Sequence, residues 1–69
     1  MREFSRIGRI FAERRITLRL TQQAVADLAG VSRSSVQSLE RGSGSLKFAS
    51  VVEIADILGL HISVSATAE

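Results

Sequence analysis

Two short segments of helical periodicity lie on either side of Gly30, so close together that only a tight turn can join them. Thr21 can cap the first segment, because its side-chain oxygen can accept a hydrogen bond from a free backbone N–H of the first turn. Glycine readily adopts the left-handed conformation that closes many helices, and Ser32 follows as the cap of the second segment. The sequence therefore predicts a helix-turn-helix unit, two short helices joined by a turn of about four residues. The apolar residues of the first helix recur at helical spacing and are Ala24, Val25, Leu28 and Ala29.

The crossing of these two helices limits the side chains at their contact. Ala26 must be small because the helices approach closely there, and Val36 must fill the gap between them. We expect the second helix from about Arg33 to Glu40 or Arg41, with Val36 and Leu39 buried.

Further helices are predicted before and after this unit. The first runs from Phe4 to about Arg15, with its apolar stripe towards the core, and the last ends at Gly59. A loop, GSGS at residues 42–45, precedes the last helix. The fold is therefore expected to be all-α, with four to five short helices. The apolar residues of the first helix are Phe4, Ile7, Ile10 and Phe11, and those of the last are Phe48, Val51, Val52, Ile54, Ala55 and Leu58.

From Leu60 the apolar period changes to two, which is the pattern of a half-buried β-strand. The chain offers no second strand, so we expect this C-terminal strand to pair with its copy in a homodimer through Leu60, Ile62 and Val64. The alternative is a frayed tail. We accordingly divide the chain into a helix-turn-helix domain, residues 1–59, and a dimerisation strand and tail, residues 60–69.

The distribution of charge and the absence of cysteine narrow the class of protein. Residues 1–47 hold all nine Lys and Arg, whereas residues 48–69 hold three acidic residues and no basic one. One face is therefore expected to meet a polyanion and another to meet protein, although a solvated basic surface is the simpler alternative. With no cysteine, no long apolar run and no signal peptide, we expect a cytoplasmic location and no contact with a membrane.

Catalysis and metal binding are not predicted. His61 is the only histidine and falls on the polar side of the expected strand, and the carboxylates are scattered over exposed helix positions. No cofactor and no metal ligands are expected. A protein interaction module that uses the fold without reading DNA remains open, because fold alone does not fix function.

The stretch LTQQAVADLAGVSRSSVQSLERG, residues 20–42, closely resembles the Cro/C1-type (XRE-like) helix-turn-helix family, which has the lambda repressor-like fold. The resemblance extends less specifically over residues 4–60. It implies sequence-specific binding of double-stranded DNA by a transcriptional regulator, a repressor that acts as a homodimer. Two-fold symmetry in turn implies a palindromic operator with half-sites about one helical turn apart.

The resemblance also assigns roles to individual positions. Arg33 can make a bidentate contact to guanine and Gln37 a similar one to adenine; for Arg33, a phosphate contact is the alternative. Glu40 matches a glutamate that ties the third helix to the first, here through Arg14 or Arg15. The expected base-facing residues are Ser32, Arg33, Ser34, Gln37 and Ser38. The expected phosphate contacts are Thr21, Gln22, Ser35, Arg41, Ser43 and Lys47.

Two further expectations come from comparison with the family. Lys47 departs from the Ser or Thr that often caps the fourth helix, which leaves the start of that helix open. The tail LGLHISVSA is similar to that of the HipB-like antitoxin branch. That likeness implies autoregulation and a HipA-like kinase toxin as a partner, but none of these residues identifies a contact with a toxin.

Overall fold

The computed structural model describes residues 2–43 and 45–67, and within them the chain forms four α-helices and no strand. They are α1 (Arg2–Thr17), α2 (Gln22–Ala29), α3 (Arg33–Arg41) and α4 (Phe48–Leu58). The predicted all-helical fold and its helix-turn-helix unit, α2 and α3, are confirmed. No helix in the described part of the chain is both long enough and apolar enough to cross a membrane.

The ends of the two central helices follow from local sequence. Thr21 Oγ1 accepts a hydrogen bond from the backbone N–H of Ala24 at 3.0 Å, and Ser32 Oγ accepts one from that of Ser35 at 3.1 Å. Each side chain satisfies one of the N–H groups that a helix leaves free in its first turn. Gly30 ends α2 with φ of 72°, a left-handed conformation that glycine adopts without steric cost.

The core lies where the four helices meet. Ala26 and Val36 are fully buried, as their predicted positions at the crossing of α2 and α3 require. Arg14 ties α1 to the end of α4, because its Nε donates a hydrogen bond to the backbone carbonyl of Leu58 at 2.8 Å. The buried apolar side chains are Phe11, Val25, Ala26, Ala29, Val36, Leu39, Ile54, Ala55 and Leu58.

Helices α1 and α3 pack without space for a side chain between them at two glycines. A Cβ atom added to Gly8 would lie 2.4 Å from the carbonyl oxygen of Leu39 and 2.6 Å from that of Glu40. A Cβ atom on Gly42 would lie 2.7 Å from Cα of Ser5. These close approaches fix α3 against the amino-terminal half of α1.

Four residues of the predicted apolar stripes are exposed instead, Phe48 of α4 among them. Phe4 and Ile10 on α1 lie in solvent, and Leu28 is 60% exposed. Leu28 follows the apolar spacing of α2, but Val25, Ala26 and Ala29 occupy its buried side. One residue corresponds to about 100° of helix rotation, which carries Leu28 away from Ala29 and into solvent.

The expected C-terminal strand is not formed in the single chain. After the Gly59 cap, Leu60 donates its backbone N–H to the carbonyl of Ala55 at 2.9 Å and remains half-buried. Residues 61–67 are exposed and belong to no helix or strand. The physical reason is that strand hydrogen bonds need a neighbouring strand, which the described residues do not offer.

Candidate nucleic-acid interface

The side of α3 that faces away from the core carries the predicted base-facing residues. Arg33 and Ser34 are exposed at the start of the helix, and Gln37 and Ser38 are half-buried one turn later. Among the described residues, the side chains of Arg33, Gln37 and Ser38 have no hydrogen-bonding partner. Their donors and acceptors are therefore available to an external ligand.

The serines at the start of α3 are already hydrogen-bonded to one another. Ser32 Oγ, which caps the helix, lies 3.1 Å from Oγ of Ser34 and 2.9 Å from Oγ of Ser35. A hydroxyl can donate once and accept twice, so Ser34 and Ser35 retain hydrogen-bonding capacity, whereas the three contacts of Ser32 use all of its own. These contacts fix the orientation of the serines relative to the first turn of the helix.

Glu40 joins three helices behind this surface. Arg15 of α1 donates from Nε to Oε2 of Glu40 at 2.7 Å and from Nη2 to Oε1 at 3.1 Å, a two-pronged contact. Gln22, the first residue of α2, donates from Nε2 to the same Oε1 at 3.0 Å. Of the two arginines expected as partners of Glu40, Arg15 is therefore the one bound, whereas Arg14 binds α4.

The remaining predicted phosphate contacts lie around α3. Thr21 is exposed beside Gln22 at the start of α2, and Ser35 is half-buried in the first turn of α3. Arg41, Ser43 and Lys47 are exposed at the other end of α3 and in the loop before α4. Lys47 gives α4 no side-chain cap, as its departure from the family pattern suggested.

An apolar groove of about 600 Å³ lies between α1, α4 and the C-terminal segment. Its lining includes Phe48, which is 68% exposed, and Arg6, which is paired with Glu3 on its rim. The hydrogen bond to Glu3 and that residue's negative charge raise the pKa of Arg6. Sequence periodicity missed the groove, because it shows that Phe4, Ile10 and Phe48 lie on apolar stripes but not that neighbours fail to cover them.

The family is settled by comparison with known proteins. The model of the HTH_3 family, helix-turn-helix, matches residues 11–64. The chain belongs to this family. This HTH_3 protein is thus a DNA-binding transcription regulator of the Cro/C1 type and not an enzyme, and the resemblance inferred from residues 20–42 is confirmed.

A solved structure agrees with this assignment. The HTH_3 protein matches the restriction-modification controller protein C.AhdI from Aeromonas hydrophila with a TM-score of 0.80 and 26% sequence identity. The match covers 88% of this chain and 92% of C.AhdI. No curated protein matches the sequence.

Proposed function

We propose that this HTH_3 protein is a homodimeric repressor that reads a palindromic DNA operator with α3. One observation carries this proposal: the outer side of α3 presents side chains without partners, such as Arg33, whereas Glu40 attaches the inner side to α1 and α2. A helix that enters the major groove needs free side chains at its front and a rigid attachment at its back. The α3 helix has both.

In this proposal the outer side chains of α3 divide into base and backbone contacts. The guanidinium of Arg33 can bind O6 and N7 of guanine, and the amide of Gln37 can bind N6 and N7 of adenine. Ser34 and Ser38 contact whichever base edges lie opposite them, because hydroxyls both donate and accept. Ser32 does so by exchanging one of its contacts with Ser34 or Ser35 for a base edge.

The phosphate contacts surround this reading surface. Gln22 gives one amide hydrogen to Glu40, which leaves its second for a phosphate oxygen. Helix α2 adds the positive end of its dipole beside Thr21. On the far side of α3, the charges of Arg41 and Lys47 and the hydroxyl of Ser43 face the same backbone, and Ser35 is a further hydroxyl donor.

The logarithm of the wild-type affinity for DNA is expected to fall linearly with the logarithm of the salt concentration, because protein that binds phosphates displaces counterions from the DNA.

Replacing Arg33 with alanine should remove about 1 to 3 kcal/mol of discrimination between operator and mixed-sequence duplex. Gln22→Ala should weaken binding to both duplexes by the same factor, because phosphates carry no sequence information. Fluorescence anisotropy across a salt series measures all three quantities, on an operator first selected from a random duplex library.

Thermal unfolding of both variants serves as the control, since Gln22 also contacts Glu40 inside the fold. Salt-independent binding, or none to any duplex, would overturn the proposal and favour a module that binds only protein. If Arg33→Ala lowers the affinity for operator and for mixed-sequence DNA by the same factor, Arg33 contacts a phosphate and not a base.

The homodimer is supported by apolar surface that the single chain leaves uncovered. Val64 is 90% exposed and Ile62 lies beside Phe48 along the groove between α1 and α4. Pairing of two C-terminal segments about a two-fold axis would satisfy their backbone groups and cover Leu60, Ile62 and Val64 of both copies. In that arrangement residues 60–69 are the dimerisation strand and tail, and residues 1–59 are the DNA-binding domain.

Replacing Val64 with glutamate is expected to weaken self-association at least tenfold, or about 1.4 kcal/mol, because the charge would lose water in the interface. Sedimentation equilibrium over a concentration series measures the dissociation constant. Leu28→Glu is the matched control: it puts the same charge on an exposed apolar residue of α2, outside the groove. A wild type that stays monomeric, or equal effects of both substitutions, would show that the C-terminal segment is not the interface.

The biological setting has two candidates. The likeness to C.AhdI favours control of a restriction-modification operon, whereas the tail LGLHISVSA favours an antitoxin that binds a HipA-like kinase. Co-expression with the product of the neighbouring gene would separate them, since only the antitoxin forms a stable complex with that product. Both candidates bind DNA, and a cytoplasmic location is part of the same proposal.

A further inference from the structure

Helix α1 ends differently from the other three helices. Helices α2, α3 and α4 each end at a glycine in the left-handed conformation, whereas α1 is followed by Arg19 with φ of 60°. Within the described residues Arg19 is the one residue other than glycine with a positive φ. Side chains with a Cβ atom disfavour this conformation, so the position suits glycine and carries arginine at a cost in stability.

The hydrogen bonds around Arg19 explain why the backbone holds this conformation. The backbone N–H of Arg19 donates to the carbonyl of Ile16 at 2.9 Å, and that of Leu20 donates to the carbonyl of Arg15 at 3.1 Å. This is the pattern of a Schellman cap, in which the left-handed residue is usually glycine. The cap needs the backbone of residue 19 and makes no use of its side chain.

The guanidinium of Arg19 is also unengaged, unlike those of three arginines within α1. Arg6 is paired with Glu3, Arg14 binds the carbonyl of Leu58, and Arg15 binds Glu40. Arg19 is exposed and forms neither a salt bridge nor a side-chain hydrogen bond to any described residue. Interactions among the described residues therefore give no reason for an arginine here.

The position of Arg19 supplies a reason, because it lies next to the proposed phosphate contacts. It is two residues before Thr21, and an extended chain spans at most about 7 Å over two residues. The residue between them is held in place, since Leu20 accepts a hydrogen bond on its carbonyl from Nη1 of Arg15 at 2.8 Å. Arg15 in turn holds Glu40 and, through it, Gln22.

We infer that Arg19 binds a DNA phosphate next to the one held at Thr21 and Gln22. The inference rests on the proposed function and extends it to a residue outside the helix-turn-helix unit. A guanidinium can contact phosphate oxygens through two parallel hydrogen bonds and keeps its charge at every accessible pH. The contact is to the backbone, so it adds affinity for all sequences equally.

The test separates stability from DNA binding. Arg19→Gly relieves the backbone by about 1 kcal/mol and is expected to raise the Tm by about 4 to 8 °C. The same variant should bind a mixed-sequence duplex more weakly and lower the slope of log affinity against log salt by about 0.9 for each bound protomer. Arg19→Lys keeps the charge and should retain the wild-type slope.

Arg9→Gln is the matched control, because Arg9 is an exposed arginine of α1 with no side-chain partner among the described residues. It should leave the slope unchanged, whereas Arg19→Gln should lower it as Arg19→Gly does. An unchanged slope in Arg19→Gln, an equal fall in Arg9→Gln, or a fall in Arg19→Lys would each overturn the inference. If the wild type itself shows no salt-dependent binding, the proposed function fails first.

Discussion

Replacing Glu40 with alanine is expected to lower the free energy of unfolding by about 3 kcal/mol, because the change leaves the charged side chain of Arg15 largely buried and without its partner. The side chains of Arg15 and Glu40 are only 16% and 9% exposed, and two hydrogen bonds join them. Gln22 would also lose its partner on Glu40. A domain of this size has little stability in reserve, so a loss of this size would remove a large share of it.

Urea unfolding at fixed protein concentration measures this loss. The matched control is Glu3→Ala, which breaks an ion pair of similar length, 2.9 Å, between side chains that are both mostly exposed. That control should leave the urea midpoint unchanged, because solvent screens an exposed pair. A similar loss in both variants would show that burial does not govern the strength of the Arg15 contact.

A double replacement tests the origin of the effect. Arg15→Met with Glu40→Leu removes both charges and keeps most of the packing volume, and it should recover much of the stability that Glu40→Ala loses. DNA affinity should be lower in the double variant than in the wild type, since Gln22 loses its partner on Glu40. Recovery of both properties would mean that Gln22 does not depend on Glu40 for its position.

Gly8→Ala is expected to destabilise the fold by about 2 kcal/mol, although alanine is the better helix former by about 1 kcal/mol. The added Cβ would meet two backbone carbonyl oxygens of α3 at 2.4 and 2.6 Å, and backbone atoms cannot rotate away. Helix α1 would have to move from α3 to admit it. Thermal unfolding measures the change, and an increase in stability would show that α1 shifts at no cost.

Two other glycines separate the steric effect from the backbone effect. Gly30 and Gly42 both have a left-handed φ, but the space around Gly30 is open and a Cβ on Gly42 would meet Cα of Ser5 at 2.7 Å. Gly30→Ala should cost about 1 kcal/mol from the backbone alone. Gly42→Ala should cost at least about 1 kcal/mol more, because it also forces α1 away. Equal costs would contradict the close approach of the two helices.

The elements that depend on local sequence could be predicted. Thr21 and Ser32 cap helices through hydrogen bonds three residues away, and Gly30 closes a turn through its own backbone, so their neighbours in the sequence contain the necessary information. The family resemblance also limited the partner of Glu40 to one of two arginines, Arg14 or Arg15. Whether the named base and phosphate contacts touch DNA stays a prediction, and so does the division at residue 60.

The features that depend on distant parts of the chain were not predictable. Periodicity placed Leu28 and Phe48 on apolar stripes, but exposure depends on which helices lie opposite them. The proposed C-terminal strand would need a second chain to pair with, and alternation in one sequence does not show whether that chain is present. Arg19 gave no signal either, because nothing in its neighbours specifies a left-handed backbone at an arginine.

The separation of the two sides of α3 has a consequence for retargeting this protein. Glu40, Val36 and Leu39 hold the helix in place, whereas Arg33, Gln37 and Ser38 have no side-chain partners in the described part of the fold. Libraries that randomise only those three outward positions should consequently yield stable variants with altered operator preferences. The rest of the fold would then support different residues at these three positions, and so different operator sequences, without redesign.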